Sequence, residues 1–105
     1  MALVSDDQIQ AMVNTIVEKF HPQAVYLFGS YARGEATEDS DLDFLIEKRG
    51  LLNRRQEMTA VRRVLPHSIA IDVLVCEEDH VRRWEKVPGS IFYNIREERK
   101  QLYGK

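Results

Sequence analysis

The chain has a single cysteine, no long apolar run and almost no net charge. With only Cys76 available, no disulfide can close within the 105 residues, and a chain held by its apolar core in a reducing, cytoplasmic setting is expected. Cys76 itself follows an apolar run and reads as a small buried residue, not as a nucleophile. No segment reaches the roughly 18 consecutive apolar residues of a membrane span and the N-terminus lacks a signal-peptide pattern, so a soluble protein with no membrane partner is expected. Fifteen Lys and Arg against 17 Asp and Glu give a net charge of -2, which lacks the basic excess of a phosphate-backbone footprint and argues against nucleic acid as the main substrate. His21, His67 and His80 have no mutual spacing suited to zinc. Repeats, linkers and low-complexity tracts are missing too. The length predicts one domain over residues 1–105, with room for a core but none for a second module.

The elements that are present follow from apolar spacing. Ser5-Asp6-Asp7 starts a helix in which Ile9, Met12, Val13, Ile16, Val17 and Phe20 recur at helical intervals, ending near His21-Pro22. Ala24-Val25-Tyr26-Leu27-Phe28 is a buried strand stopped at Gly29, and Asp41 to Ile46 is a second strand. Arg49-Gly50 breaks the chain, after which Leu51 to Leu65 reads as a long helix stopped by Pro66. Its stripe of Leu51, Leu52, Met58, Val61, Val64 and Leu65 would cover the sheet, leaving Arg54, Arg55, Arg62 and Arg63 on a solvated face. Ile69 to Val75 is a third strand. Glu77 to Lys86 forms a short helix carrying Trp84, Ile91 to Arg99 resumes helical spacing, and Gln101-Leu102-Tyr103 adds an edge strand. Trp84 and Tyr93 read as core or interface fillers. The sum is an α/β fold, a small mixed sheet flanked by helices with a site at one sheet end.

The chemistry lies in residues 29 to 43. Gly29 tolerates positive φ and lets a ligand approach the backbone, Ser30 brings a hydroxyl, and the following residues can open a short helix whose free N–H groups would face a phosphate. Asp41 and Asp43 alternate with Leu42 on a strand, so their side chains share a face about 6.6 Å apart at roughly 3.3 Å per residue. Leu42, Phe44 and Ile46 point the other way, into the core. Mg²⁺ takes oxygen ligands at about 2.1 Å, and paired ions of a transfer site sit roughly 3.5 to 4 Å apart, a span both carboxylates can serve.

A third acid, Asp72, stands among six apolar residues in Ile69-Ala70-Ile71-Asp72-Val73-Leu74-Val75. Burial of a lone carboxylate is costly unless it is paired or ligates metal. If this strand lies beside the second, Asp41, Asp43 and Asp72 converge and raise one another's pKa until a cation arrives. A buried ion pair with an Arg would also satisfy Asp72. Arg33 is open in the same way: its guanidinium can meet a phosphate, or pair with Glu35, Glu38 or Asp39.

Phe28-Gly29-Ser30 through Ser40-Asp41-Leu42-Asp43, with Ile71-Asp72-Val73, resembles the nucleotidyltransferase superfamily of the DNA polymerase β type. Within it, the short length and the wording Gly-Ser-Tyr-Ala-Arg-Gly are similar to the minimal nucleotidyltransferases (MNT), over nearly the whole chain. The resemblance implies that Gly29 and Ser30 hold nucleotide phosphates, with Arg33 and Ser40 as further nucleotide contacts, and that Asp41, Asp43 and Asp72 bind Mg²⁺, two ions being expected. It implies ATP as the substrate. It also implies a HEPN-type toxin as partner in a hetero-oligomer, neutralised by transfer of AMP to a tyrosine. Two other classes are compatible with the residues: a transferase acting on a small molecule such as an aminoglycoside, and a binding-only antitoxin.

Overall fold

The computed structural model describes residues 3–104. The first helix, α1, spans Asp6–Phe20 and opens on a capping box: the Ser5 hydroxyl accepts from the Gln8 N–H and the Gln8 side chain accepts from the Ser5 N–H. These bonds satisfy donors that helix geometry leaves free. The helix ends at His21, in the left-handed conformation. The strand β1 (Ala24–Phe28) runs into the single-turn α2 (Ser30–Arg33), followed by β2 (Leu42–Lys48), α3 (Arg54–Val64) and β3 (Ile71–Glu77). Then α4 (Glu78–Trp84), α5 (Ile91–Glu98) and β4 (Lys100–Gly104) complete the chain.

The sheet order is β3-β2-β1-β4. β1 pairs antiparallel with both β2 and β4, while β2 and β3 are parallel. A parallel pair needs a crossover, and α3 supplies it. The expected small mixed sheet flanked by helices is therefore what forms. Two elements start two or more residues later than expected, and the other boundaries shift by one or two. The helix expected from Leu51 begins at Arg54, because the Asn53 side chain caps it by accepting from the Gln56 N–H at 3.0 Å. Leu51 packs at the core margin, but Leu52 is fully exposed and leaves the predicted stripe. The third strand starts at Ile71, not Ile69, with Ile69 packed at the core margin.

Both faces of the sheet are covered. Val25, Leu27, Leu42, Phe44, Ile46, Ile71 and Val75 meet Ile9, Met12, Val13 and Ile16 of α1 and Val61 of α3. On the opposite face, Ala24, Tyr26, Leu45 and Cys76 meet Val81 of α4 and Phe92 and Ile95 of α5. The buried side chain of Cys76 agrees with the sequence reading. Trp84 does not fill the core and is exposed.

This second face also buries a charge that the sequence pattern did not reveal. Glu47 of β2 is completely enclosed and is held by both terminal carboxylate oxygens to Arg82 of α4. Arg82 also binds the buried Glu85, which meets Arg99 at 3.5 Å, and Arg99 lies 4.3 Å from the Tyr26 ring centroid. Burial pushes the Glu47 carboxyl up despite the hydrogen bonds and charge of Arg82. The chain of ion pairs ties α4 and the end of α5 to the sheet. Replacing Arg82 by Met strands a fully buried carboxylate, and removal of one partner from such a pair costs about 3 to 5 kcal/mol. Urea denaturation should show a loss of that order for Arg82→Met, with a smaller loss for Glu47→Gln, since Arg82 keeps Glu85 and contact with solvent.

Candidate active site

The site gathers where β1 ends and where β2 and β3 begin. Phe28, the last residue of β1, is the register partner of Asp43, and Asp43 is the register partner of Asp72 across the parallel pair. Side chains alternate along strands, so Asp43 and Asp72 fall on the same face as Tyr26, Leu45 and Cys76, the face covered by α4 and α5. Asp41 immediately precedes β2 and is exposed.

The turn after β1 is shaped by Gly29, which adopts φ 76° and ψ -158°. A Cβ placed there would lie 2.1 Å from Oδ2 of Asp43. Glycine is therefore required twice, for the positive φ and for the close passage of backbone past carboxylate. The turn opens α2 without any side-chain cap, so the leading N–H groups of that helical turn have no intrahelical acceptor. Further on, the Ser40 hydroxyl accepts from the Thr37 N–H at 2.9 Å and the Ser40 N–H donates to the Thr37 carbonyl at 3.0 Å. Ser40 thus closes the loop that delivers Asp41 and Asp43 to the sheet.

Asp43 is the electrostatic centre. Its carboxyl is pushed from an ordinary 3.8 up to about 6, by burial first and then by the charges of Asp72 and Asp41, a hydrogen bond with Asp72 and the charge of Glu98. Asp72, expected to be buried, is instead exposed. The physical reason is its place: β3 is an edge strand, and Asp72 is its second residue, beyond the cover of α4 and α5. The three acids do not form a ready-made ligand set, since among the described residues no group of three acidic, histidine or cysteine side chains is close enough to hold an ion as it stands. Asp43 and Asp72 meet while Asp41 acts on Asp43 by its charge, and carboxylates without a cation between them repel. The donors are nonetheless all carboxylate oxygens, the hard ligands that Mg²⁺ prefers. Their mutual destabilisation is what a divalent cation relieves, so these residues fit one.

Arg33 has both a foreseen and an unforeseen partner. Its Nε donates to Glu35 at 2.6 Å, and its Nη1 donates to the two oxygens of Glu98 at 3.2 and 3.0 Å. Glu98 also accepts from the Gly29 N–H. Sequence reasoning missed Glu98: within Glu97-Glu98-Arg99 nothing local separates it from a solvated helix end.

The small mixed sheet, the glycine turn after its first strand and the acids at the same sheet end are those that the resemblance to nucleotidyltransferases implied. Residues 9–105 match the nucleotidyltransferase domain family. The chain belongs to that family and is a nucleotidyltransferase. It is 31% identical over 97 residues to MJ0604 of Methanocaldococcus jannaschii, provisionally named a protein adenylyltransferase, with 90% of this chain and 94% of that protein covered. The fold is shared with a crystal structure from Sulfolobus solfataricus described provisionally as a nucleotidyltransferase, at TM-score 0.66 and 24% identity, covering 94% of this chain and 79% of the other. It is also shared with a chain of the complex between tri-AMPylated Shewanella oneidensis HEPN toxin and MNT antitoxin, at TM-score 0.50 and 19% identity, covering 91% and 72%.

Two outcomes follow from this geometry. The folded Asp43 carboxyl binds its proton more tightly than the unfolded one, so its contribution to stability is complete below 3.8 and is lost as pH rises through about 6. Asp43→Asn should accordingly raise the melting temperature of the metal-free protein at pH 7, and the gain over wild type should shrink as pH falls through about 6 and be gone below 3.8. Gly29→Ala should lose about 1 to 3 kcal/mol, because φ 76° with ψ -158° is a backbone region that essentially only glycine enters. It should also abolish transfer in protein that remains folded, because the new methyl group displaces the Asp43 carboxylate; thermal melting and a transfer assay read the two effects separately.

Proposed function

We propose that this nucleotidyltransferase uses Mg²⁺ and ATP to transfer AMP to a tyrosine hydroxyl of a HEPN-type toxin, and thereby serves as its antitoxin. The observation that carries this reading is the pairing of Asp43 with Asp72 across parallel strands, directly beside a glycine turn with uncapped N–H groups. The name of the M. jannaschii relative supports a protein as acceptor. The HEPN–MNT complex supports a toxin of that kind as the partner.

In this reading Gly29 and Ser30 receive the phosphates of ATP, with Arg33 balancing their charge, while Asp41, Asp43 and Asp72 would hold Mg²⁺. A bound Mg²⁺ would supply charge neutralisation at the α-phosphate and lower the pKa of an acceptor hydroxyl. Asp72 is the residue we assign to accept the hydroxyl proton as the oxygen attacks the α-phosphorus and pyrophosphate leaves. Its exposure suits a hydroxyl brought from outside by a second protein. A solvent-open acid at an edge strand offers little enclosure for a small-molecule acceptor. Asp41, exposed beside it, gives the carboxylate set room to tighten around an ion. Among the described residues no helix is long and apolar enough to cross a membrane.

Incubation of the protein with ATP, Mg²⁺ and a HEPN-type toxin should add AMP to the toxin, on the order of a hundredfold or more faster than with Asp41→Asn, Asp43→Asn or Asp72→Asn. Intact mass spectrometry reads the product, and a toxin with its acceptor tyrosine changed to Phe should still bind but gain no AMP. If the triple Asp→Asn variant, free of transferase activity, protects cells fully at native expression, sequestration alone explains neutralisation and the catalytic reading of its biology fails.

A further inference from the structure

Two of the donors assigned to the nucleotide phosphates, Gly29 and Arg33, are already in use. The Gly29 N–H donates to Oε2 of Glu98, and the Arg33 guanidinium donates to both oxygens of the same carboxylate, at 3.0 Å to Oε2 and 3.2 Å to Oε1. A carboxylate here presents to a backbone N–H and a guanidinium the oxygens that a phosphate would present. Two anions cannot share one set of donors, so a triphosphate seated on Gly29 and Arg33 requires Glu98 to leave.

The structure also shows which part of Glu98 can leave. Its backbone is pinned: Ile95 of the same helix is buried, the Arg99 N–H donates to the Ile95 carbonyl at 2.8 Å, and Arg99 is held by Glu85 and over the Tyr26 ring. Lys100, two residues on, is in register with Leu27 of β1. The Glu98 side chain is different, since about a quarter of it (24%) reaches solvent, and rotation about its own bonds would carry the carboxylate into water. The Glu47–Arg82–Glu85–Arg99 series therefore aims the helix end at the turn, while the last side chain stays movable.

We propose that Glu98 is a built-in, displaceable anion that fills the phosphate seat in the nucleotide-free protein and sets its affinity for the triphosphate. This rests on the nucleotide reading of the Gly29 turn. Glu98 satisfies Gly29 and Arg33 while the seat is empty, and every phosphate-bearing ligand competes with it. A ligand without phosphate does not. The expected signature is a gain of affinity when the carboxylate is removed, the opposite of what loss of a merely supportive contact would cause.

The test compares the full chain with Glu98→Gln, which keeps an acceptor for the Gly29 N–H without the charge, and Glu98→Ala. Calorimetric titration with Mg²⁺–ATP, Mg²⁺–inorganic triphosphate and adenosine should give Kd values for both phosphate ligands that fall by on the order of tenfold in the variants, the worth of one charge-assisted hydrogen bond partly exposed to water. Adenosine binding should not change. In wild type, the Gly29 amide proton resonance should move when ATP is added and should already be displaced in Glu98→Ala. If wild type binds ATP and both folded variants bind it equally or more weakly, Glu98 is a supporting contact and the inference is overturned. If neither wild type nor variants bind ATP or inorganic triphosphate, the nucleotide reading of the turn falls first, and the role of Glu98 with it.

Discussion

The passage of the Gly29 backbone past the Asp43 carboxylate is the contact on which the candidate site depends. There is no space for a Cβ between them, and the φ of 76° is one that a side chain would strain. Everything around the site keeps that approach in place. β1 and β2 pair so that Phe28 faces Asp43, and β2 and β3 pair so that Asp43 faces Asp72. One residue of slip in either ladder would turn a carboxylate to the other face of the sheet, among Phe44, Ile46 and Val75. The packed core on that face prevents it.

The same strands carry a second electrostatic problem two turns of the pleat away. Glu47 shares a face with Asp43 but lies under α4, where no water reaches it, and the fold answers with Arg82. The two acids receive opposite treatment. Glu47 has a cation in permanent attendance, whereas the charges that shift Asp43 most are those of other carboxylates, which together with burial push it up to about 6. An enclosed acid given a fixed partner is structural. In the proposed reading, an acid surrounded by like charge is a place for a cation from outside, and the carboxylates of Asp41, Asp43 and Asp72 would suit Mg²⁺.

The order of helices after β3 links these two regions. α4 carries the arginine that neutralises Glu47, and α5 ends in consecutive residues with opposite duties: Arg99 returns to Glu85 and Tyr26, and Glu98 reaches across to Gly29 and Arg33. Changes to the buried ion pairs would therefore be felt at the Gly29 turn through the position of the end of α5, with no substitution in the turn itself.

Much of this was legible in the residues alone. Helix α1 announced itself by Ser5 and the spacing from Ile9 to Phe20, β1 by five apolar residues ending at glycine, and Asp41, Asp43 and Asp72 by acids entering apolar runs, because these signals are local and follow from backbone periodicity. What the tertiary structure decided was everything that depends on which elements become neighbours. Asp72 is exposed because β3 is an edge strand, Leu52 is exposed because Asn53 starts α3 late, Glu47 is buried because α4 folds over β2, and Glu98 meets Gly29 across 69 residues of sequence. No window of sequence contains such information, since the energy of a charge is set by the dielectric and the partners that distant segments bring to it.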